Sequence, residues 1–231
     1  MIPRTHIWVI AALIAVDLVA AIVVYPYLPD PCPTHWNFSG EPDAFGPPWK
    51  LAFLVPAIGA GLVFVLWALP LLGPFRANFE RFRVTYGRVC LTTVAVLLAL
   101  HAVFLGAALG QNLSIGRTLS IICGIMLAVM GNWMGKVRRN FYLGIRTPWT
   151  LANEQVWGRT QRAGGRVLVA VGSVSVAFGL FAGEAVATVV FFSGVGVLVV
   201  WAMVYSLVIY RRVGNRDELN ADTSYSTRDA S

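Results

Sequence analysis

Six stretches of this chain are almost free of polar residues, and most have the length a helix needs to cross a bilayer. They are Ile7 to Leu28, Leu51 to Leu72, Val89 to Leu109, Ile115 to Trp133, Val167 to Gly183 and Ala185 to Tyr210. A hydrocarbon core of about 30 Å takes about 20 helical residues at a rise of 1.5 Å each. The pattern predicts an all-α, polytopic membrane protein with six transmembrane helices. The fifth run carries Gly172, Gly179 and Gly183, which lower helix propensity. In membranes such small residues also let helices approach closely. The sixth run is long enough to tilt or to leave the membrane. Its Gly194-x-Gly196 face permits helix association.

The connections differ in character. Pro29 to Lys50 reads PDPCPTHWNFSGEPDAFGPPWK. Its prolines and glycines exclude a long helix. Trp36, Phe38, Phe45 and Trp49 suit a compact cap at the membrane interface, where aromatic rings are favoured. Gly73 to Arg88 is basic and can begin the third helix outside the hydrocarbon. The turn around Asn112 is short, which predicts an antiparallel hairpin of the third and fourth helices. Gly183 and Glu184 form a tight turn. From Asn215 onward the chain is polar without periodicity, and a disordered tail is expected there.

Composition agrees with the pattern. Apolar residues make up 57% and charged residues 13%, against about 45–50% and 25% in soluble domains. The net charge of +7 raises nucleic acid as a partner, but the placement of the charges explains it otherwise. With the N-terminus inside the cell, only Lys50 and Arg117 of 18 basic residues fall outside. Such a bias predicts that both termini are cytoplasmic. The same charge offers a surface to anionic lipids, and no direct nucleic-acid binding is expected. A signal peptide is considered and set aside, because Asp17 interrupts the first run and no cleavage site follows. Cys90 and Cys123 lie at or in the membrane and Cys32 is alone on the outer loop, so no outer disulfide forms within one chain.

The fourth connection, within Gly131 to Gly165, is the most specific part of the sequence. Thr147-Pro148 is a helix start, with Thr147 as N-cap and proline at the first helical position. Trp149, Ala152, Val156 and Trp157 then recur at roughly helical spacing. A short amphipathic helix on the inner leaflet is expected, ended by Gly164-Gly165. Arg146 and Arg159 are placed to meet lipid phosphate or Glu154. Physical chemistry alone reads this segment as a lipid-anchored connector without a specific partner.

Asn132, Gly135-Lys136, Asn140, Gly144-Ile145-Arg146-Thr147-Pro148-Trp149-Thr150, Glu154, Val156-Trp157, Thr160, Arg162 and Gly164-Gly165 resemble the signature of the SdpI family of bacterial immunity membrane proteins. Leu28-Pro29-Asp30, Pro33-Thr34-His35 and Gly40-Glu41-Pro42-Asp43 resemble the membrane module of unknown function often found at that family's N-terminus. Gln161 stands where the family usually has histidine, Arg139 where proline often precedes the asparagine, and Cys32 replaces an aliphatic residue. The resemblance implies protection against a secreted, membrane-active peptide toxin. It also implies a receptor that holds a winged-helix autorepressor at the membrane. On that reading Asn132, Gly135, Lys136, Asn140, Gly144, Arg146, Thr147, Pro148, Trp149, Glu154, Trp157 and Arg162 are candidates for the cytoplasmic partner, with Trp149, Trp157 and the arginines as anchors. His35, Trp36, Asn37, Gly40, Glu41 and Asp43 are candidates for meeting toxin outside.

Two further groups carry chemistry. Cys32, His35, Glu41 and Asp43 include a Cys-x2-His spacing that zinc tolerates. The competing reading has Asp30, Asn37, Glu41 and Asp43 capping turns, and no metal or cofactor is expected. Asp17 and His101 are ionisable residues within spans, costly unless they face the bundle interior or water. Counted from the starts of their apolar runs they lie at roughly 15–18 Å, near mid-bilayer, where they can pair. That pair is either a clasp between helices, worth about 1 kcal/mol, or part of an ion pathway.

No H-E-x-x-H, G-x-S-x-G or P-loop occurs, and Ser173, Ser175 and Ser193 read as packing contacts, so no enzyme is expected. The organisation reads as an N-terminal module over 1–75, a four-helix domain over 76–212 and a tail over 213–231. The function expected is membrane immunity with signalling, in the bacterial cytoplasmic membrane. A small transporter using Asp17 and His101, or a scaffold without ligand, is the alternative.

Overall fold

A backbone in hydrocarbon must satisfy its own N–H and C=O groups, and a helix does so within one segment. The computed structural model describes residues 2–37, 39–71 and 76–226, with side chains at all of these but 76 and 215–226. Helix α1 spans Arg4–Val24, followed by a 3-10 turn over Tyr25–Tyr27. Strands β1 (Cys32–Trp36) and β2 (Pro42–Gly46) form an antiparallel hairpin. Then come α2 (Pro48–Ala68), α3 (Arg83–Ala108), α4 (Ile115–Met134), α5 (Pro148–Ala152), α6 (Glu154–Phe181) and α7 (Glu184–Ser226). Among the described residues six helices are long and apolar enough to cross a membrane; α5 is too short. Phe38 of the expected aromatic cap lies outside the described residues, as do 72–75 of the second connection.

The six long helices alternate in direction, which gives the bundle two ends. One end carries the hairpin, the α3–α4 turn and the α6–α7 turn. The other carries the N-terminus, the second connection and the signature segment, with most of the arginines. At the hairpin end, Ala21, Leu28, Cys32, Leu51, Ala52, Leu105 and Ala108 pack together. At the basic end Ile2, Ile10, Phe79, Phe82, Tyr86, Val137 and Trp157 form a second core. Apolar side chains such as Val16, Val19, Ile22, Val197 and Val200 point outward, as a lipid-facing surface requires.

The fifth span differs from its expected form. Gly164-Gly165 do not end a helix; α6 runs through them to Phe181. Both face inward, Gly164 toward Ile145 and Gly165 toward α4, where α4 and α6 meet backbone to backbone. A Cβ on Gly165 would lie 2.6 Å from the Gly131 carbonyl oxygen, and one on Gly172 would lie 2.4 Å from that of Gly124. Of the glycines that weaken propensity, Gly172 and Gly179 permit this packing while Gly183 lies beyond the helix, and packing prevails.

The break falls earlier instead. Thr147 caps α5 as expected, accepting from the Thr150 backbone while the Thr150 hydroxyl accepts from the Thr147 N–H. The chain extends at Asn153, whose side chain accepts from the Gln155 and Val156 N–H groups and starts α6. The single amphipathic helix expected from Pro148 onward is therefore two helices. The helical spacing of Trp149 and Trp157 concealed the break, because Asn153 is a stronger N-cap than helix interior residue. At the other end of the chain, α7 continues as backbone helix through the polar stretch 215–226. Residues 227–231 of the expected tail lie outside the described residues.

Candidate functional site

The signature segment at the basic end is built as a tight knot. Asn140 is fully buried. Its carbonyl oxygen accepts from the N–H groups of Tyr142 and Leu143, and its amide donates to the carbonyls of Arg138 and Leu143. Gly144 has φ +104°, a left-handed conformation that side chains resist. A Cβ there would lie 2.8 Å from the Gln161 Oε1. The Gln161 amide in turn accepts from the Ile145 N–H and donates to the Ile145 carbonyl. One side chain thus satisfies both backbone polar groups of the half-buried Ile145. Thr147 also donates to the Ser206 hydroxyl of α7 at 3.1 Å. Trp157 is 2% exposed, and its indole N–H donates to the Val137 carbonyl at 2.8 Å.

Several signature positions are therefore occupied in holding this segment together. Trp157 does not offer its ring to a docking protein, and Trp149 is half-buried against Val156, Ile209 and Val213. The candidates left on the surface are Asn132, Gly135, Lys136, Arg146, Pro148, Glu154 and Arg162. Arg146 donates to the carbonyl of Phe141. No ion pair joins Glu154 to Arg146 or Arg159 among the described residues. Burial pushes the Tyr142 phenol up to about 12, with neighbouring Cys90 adding to the shift.

At the opposite end, the hairpin is closed by Asn37, whose side chain accepts from the N–H groups of Ser39 and Glu41. That is a turn-capping role. His35 Nδ1 lies 2.5 Å from Asp43 Oδ1 across the strands. Trp36 stacks on Phe104 of α3 with ring centroids 4.9 Å apart. Gly40, at φ +80°, lies so close to Glu184 of α7 that a Cβ would meet its Oε1 at 2.2 Å. Glu41 and Asp43 are exposed. Cys32 is fully buried, and burial, then the negative charge of Asp30, pushes its thiol up. The four possible metal ligands are not brought together: among the described residues no three His, Cys, Asp or Glu side chains converge.

Beneath the hairpin lies a cavity of about 710 Å³. Its roof is Thr34, His35, Trp36, Asn37 and Asp43. One wall is Leu51, Leu54 and Val55 of α2, with Lys50 at the mouth and Phe104 of α3 behind. The facing wall is Leu119, Ser120 and Cys123 of α4 with Thr188, Phe191 and Phe192 of α7. Four of the six outer candidates therefore frame one concavity, of a size that suits a ligand.

Asp17 and His101 are together. His101 is completely buried, with Nδ1 2.8 Å from Asp17 Oδ1 and Nε2 3.1 Å from the carbonyl of Leu51. The contact joins α1, α2 and α3. Its depth differs from that expected. Both residues lie seven positions from the hairpin ends of their helices, about 10 Å. Leu51 lies in the first turn of α2. The helices extend further at the basic end than the apolar runs indicate, so the pair sits nearer the hairpin.

Two residues went unnoticed as structural charges in the sequence. Glu184 accepts from the Gly116 N–H at 2.6 Å and the Ser114 hydroxyl at 2.8 Å, capping α4 from α7. Arg117 donates to the carbonyls of Gly179 and Leu180, each at 2.9 Å, capping α6 from α4. Each charge sits at the helix end whose dipole favours it. The signal available was a lone charge at the edge of an apolar run.

Comparison with known proteins agrees with this architecture. Residues 12–60 match a domain of unknown function, DUF1648. Residues 136–208 match the SdpI/YfhL protein family. The chain is 26% identical over 194 residues to the immunity protein SdpI of Bacillus subtilis (strain 168), covering 84% of this chain and 88% of that protein. No solved structure matches. The roof and one wall of the cavity come from the first matched region, and Thr188, Phe191 and Phe192 come from the second. The chain is a multi-pass membrane protein that is similar to DUF1648 in its N-terminal part and to the SdpI/YfhL protein family in its C-terminal part.

Proposed function

We propose that this protein protects the cell that makes it from a secreted peptide that damages membranes. The hairpin end faces out and meets the peptide, and the basic end faces the cytoplasm. The charge distribution supports that orientation: among the described residues, Lys50 and Arg117 are the basic residues at the hairpin end, as the positive-inside rule requires. The observation that carries the function is the rigid placement of the hairpin. Trp36 on Phe104, and Gly40 against Glu184, seat the DUF1648 cap on the helices beneath it. His35, Glu41 and Asp43 are thereby presented to the outside. The likeness to an immunity protein over most of the chain supports the same reading. It requires no catalytic step.

Signalling is the second half of the proposal. The exposed signature residues Lys136, Arg146 and Arg162, with Asn132 and Glu154, form the surface offered to a cytoplasmic autorepressor. Trp157 and Asn140 keep that surface in shape. Anionic lipids of the inner leaflet share the same basic end. The ion-pathway alternative receives less support, because both ring nitrogens of His101 are already engaged.

The test is survival and membrane potential in a sensitive bacterium that makes this protein, challenged with an SDP-type peptide. Wild type is compared with a hairpin variant (His35→Ala with Asp43→Ala) and with Arg146→Ala, at matched membrane abundance. Protection lost in the hairpin variant and kept in Arg146→Ala assigns immunity to the outer end. Equal protection by wild type and the hairpin variant removes the hairpin's role. No protection by wild type refutes the proposal for that peptide class.

A further inference from the structure

The cavity beneath the hairpin has chemistry of its own. The hydroxyl protons of Ser120, Thr188 and Thr34 in its lining are all engaged. Ser120 donates to the Gly116 carbonyl at 2.7 Å, Thr188 to the Glu184 carbonyl at 2.9 Å, and Thr34 to the Ala44 carbonyl at 3.3 Å. Below the hairpin residues and Lys50, the rest of the lining is Leu, Val, Ile, Phe and Gly116 with one thiol. An extended peptide backbone placed there would bury C=O groups without donors, which is costly. A hydrocarbon chain has no such groups.

The opening is lateral. Leu54 of α2 and Phe192 of α7, both in the lining, are 49% and 53% exposed on faces that border hydrocarbon. The lining is polar at Lys50 in the first turn of α2, and the adjoining segment carries the exposed Phe45 and Trp49, aromatic side chains of the kind that mark the headgroup region. Arg117, the other cation of this end, is held by α6 carbonyls, and Asp43 is taken by His35. Glu184 is held by Ser114 and Gly116. No ion pair involves Lys50 among the described residues.

The geometry points to a binding site for an anionic glycerophospholipid of the outer leaflet, with one acyl chain in the cavity and its phosphate on Lys50. The volume lies within the range of about 300–1,000 Å³ that encloses a ligand of drug size. The site is built across the junction of the two matched domains, so a lipid there ties the hairpin module to α4 and α7. This inference does not depend on the immunity reading.

The experiment is native mass spectrometry of the full chain released from nanodiscs that contain equal phosphatidylglycerol and phosphatidylcholine with identical acyl chains. Wild type is expected to retain phosphatidylglycerol preferentially. Lys50→Gln, an exposed change, should cut that preference about fivefold, the effect of one cation near a lipid headgroup. Leu119→Trp fills the cavity and should remove both lipids. Excess inorganic phosphate should leave the acylated adduct in place. Equal retention of the two lipids by wild type, or an unchanged preference in Lys50→Gln, overturns the proposal. So does displacement by inorganic phosphate, which would reveal a simple anion site, or a co-purifying peptide mass in place of lipid.

Discussion

Removing the Asp17–His101 contact should loosen three helices at once. His101 has no exposed surface and uses both ring nitrogens, while Asp17 Oδ2 has no hydrogen-bond partner already. Asp17→Asn keeps an oxygen and an amide within reach of the imidazole, so its cost should stay near the average of about 0.6 kcal/mol for an interhelical bond in a membrane. Asp17→Leu leaves a buried ring nitrogen unpaired, a cost of about 1–3 kcal/mol. His101→Leu should cost the most, since it strands the carboxyl group and also releases the Leu51 carbonyl. The double substitution Asp17→Leu with His101→Leu removes both partners. It should cost about 1 kcal/mol less than the sum of the two single changes. The assay is reversible unfolding in bicelles, followed by steric trapping or by denaturant at fixed lipid composition. Additive single effects would refute the coupling, and so would Asp17→Asn costing as much as His101→Leu.

Other consequences can be checked in the same preparation. Gly172→Leu should drive α4 and α6 apart, because its Cβ alone would stand 2.4 Å from the Gly124 carbonyl oxygen. Overpacking of that kind costs about 1–3 kcal/mol, and an unchanged melting midpoint would contradict it. Trp157→Phe keeps most of the ring but leaves the buried Val137 carbonyl without its donor. A loss of about 1–3 kcal/mol is expected, with Trp157→Ala worse still, read by unfolding and by protease cutting within 135–147. Cys32 should resist maleimide at neutral pH although it lies outside the hydrocarbon. Its raised thiol leaves little thiolate, so labelling should climb as pH rises, and Asp30→Asn should speed it. Rapid labelling of folded protein at pH 7, shown by mass at that residue, would contradict the burial.

The signature segment shows where residue patterns mislead. Asn140, Gly144, Thr147 and Trp157 stand out in the sequence as part of a specific set, with Gln161 as a departure from it, and such a set invites a partner. In the fold these residues satisfy one another's backbone or bury an indole. Their types are required because a non-helical stretch packed against helix ends must satisfy every buried N–H and C=O locally. Arg146 does both, donating to the Phe141 carbonyl while it stays exposed, and Lys136 and Arg162 are exposed beside the knot. Spacing alone does not separate the two roles.

What the sequence determined by itself was the number of spans, their approximate limits, the antiparallel α3–α4 hairpin, the Thr147 cap and the polar character of the outer loop. These depend on transfer free energy and local backbone chemistry, which act within a few residues. The charge bias, likewise a local property, predicts the orientation. Only the tertiary structure decided which faces meet. Helices α1, α2, α3 and α7 are apolar nearly all round, so no stripe of polarity gives their rotation about the helix axis, and the sidedness of α4 and α6 does not name the partner they face. Pairing of Asp17 with His101 beside Leu51, the close approach of Gly131 to Gly165 and of Gly124 to Gly172, the caps made by Arg117 and Glu184, and the cavity beneath the hairpin all follow from that rotation. Each joins residues far apart in the chain, and close packing between helices selects them.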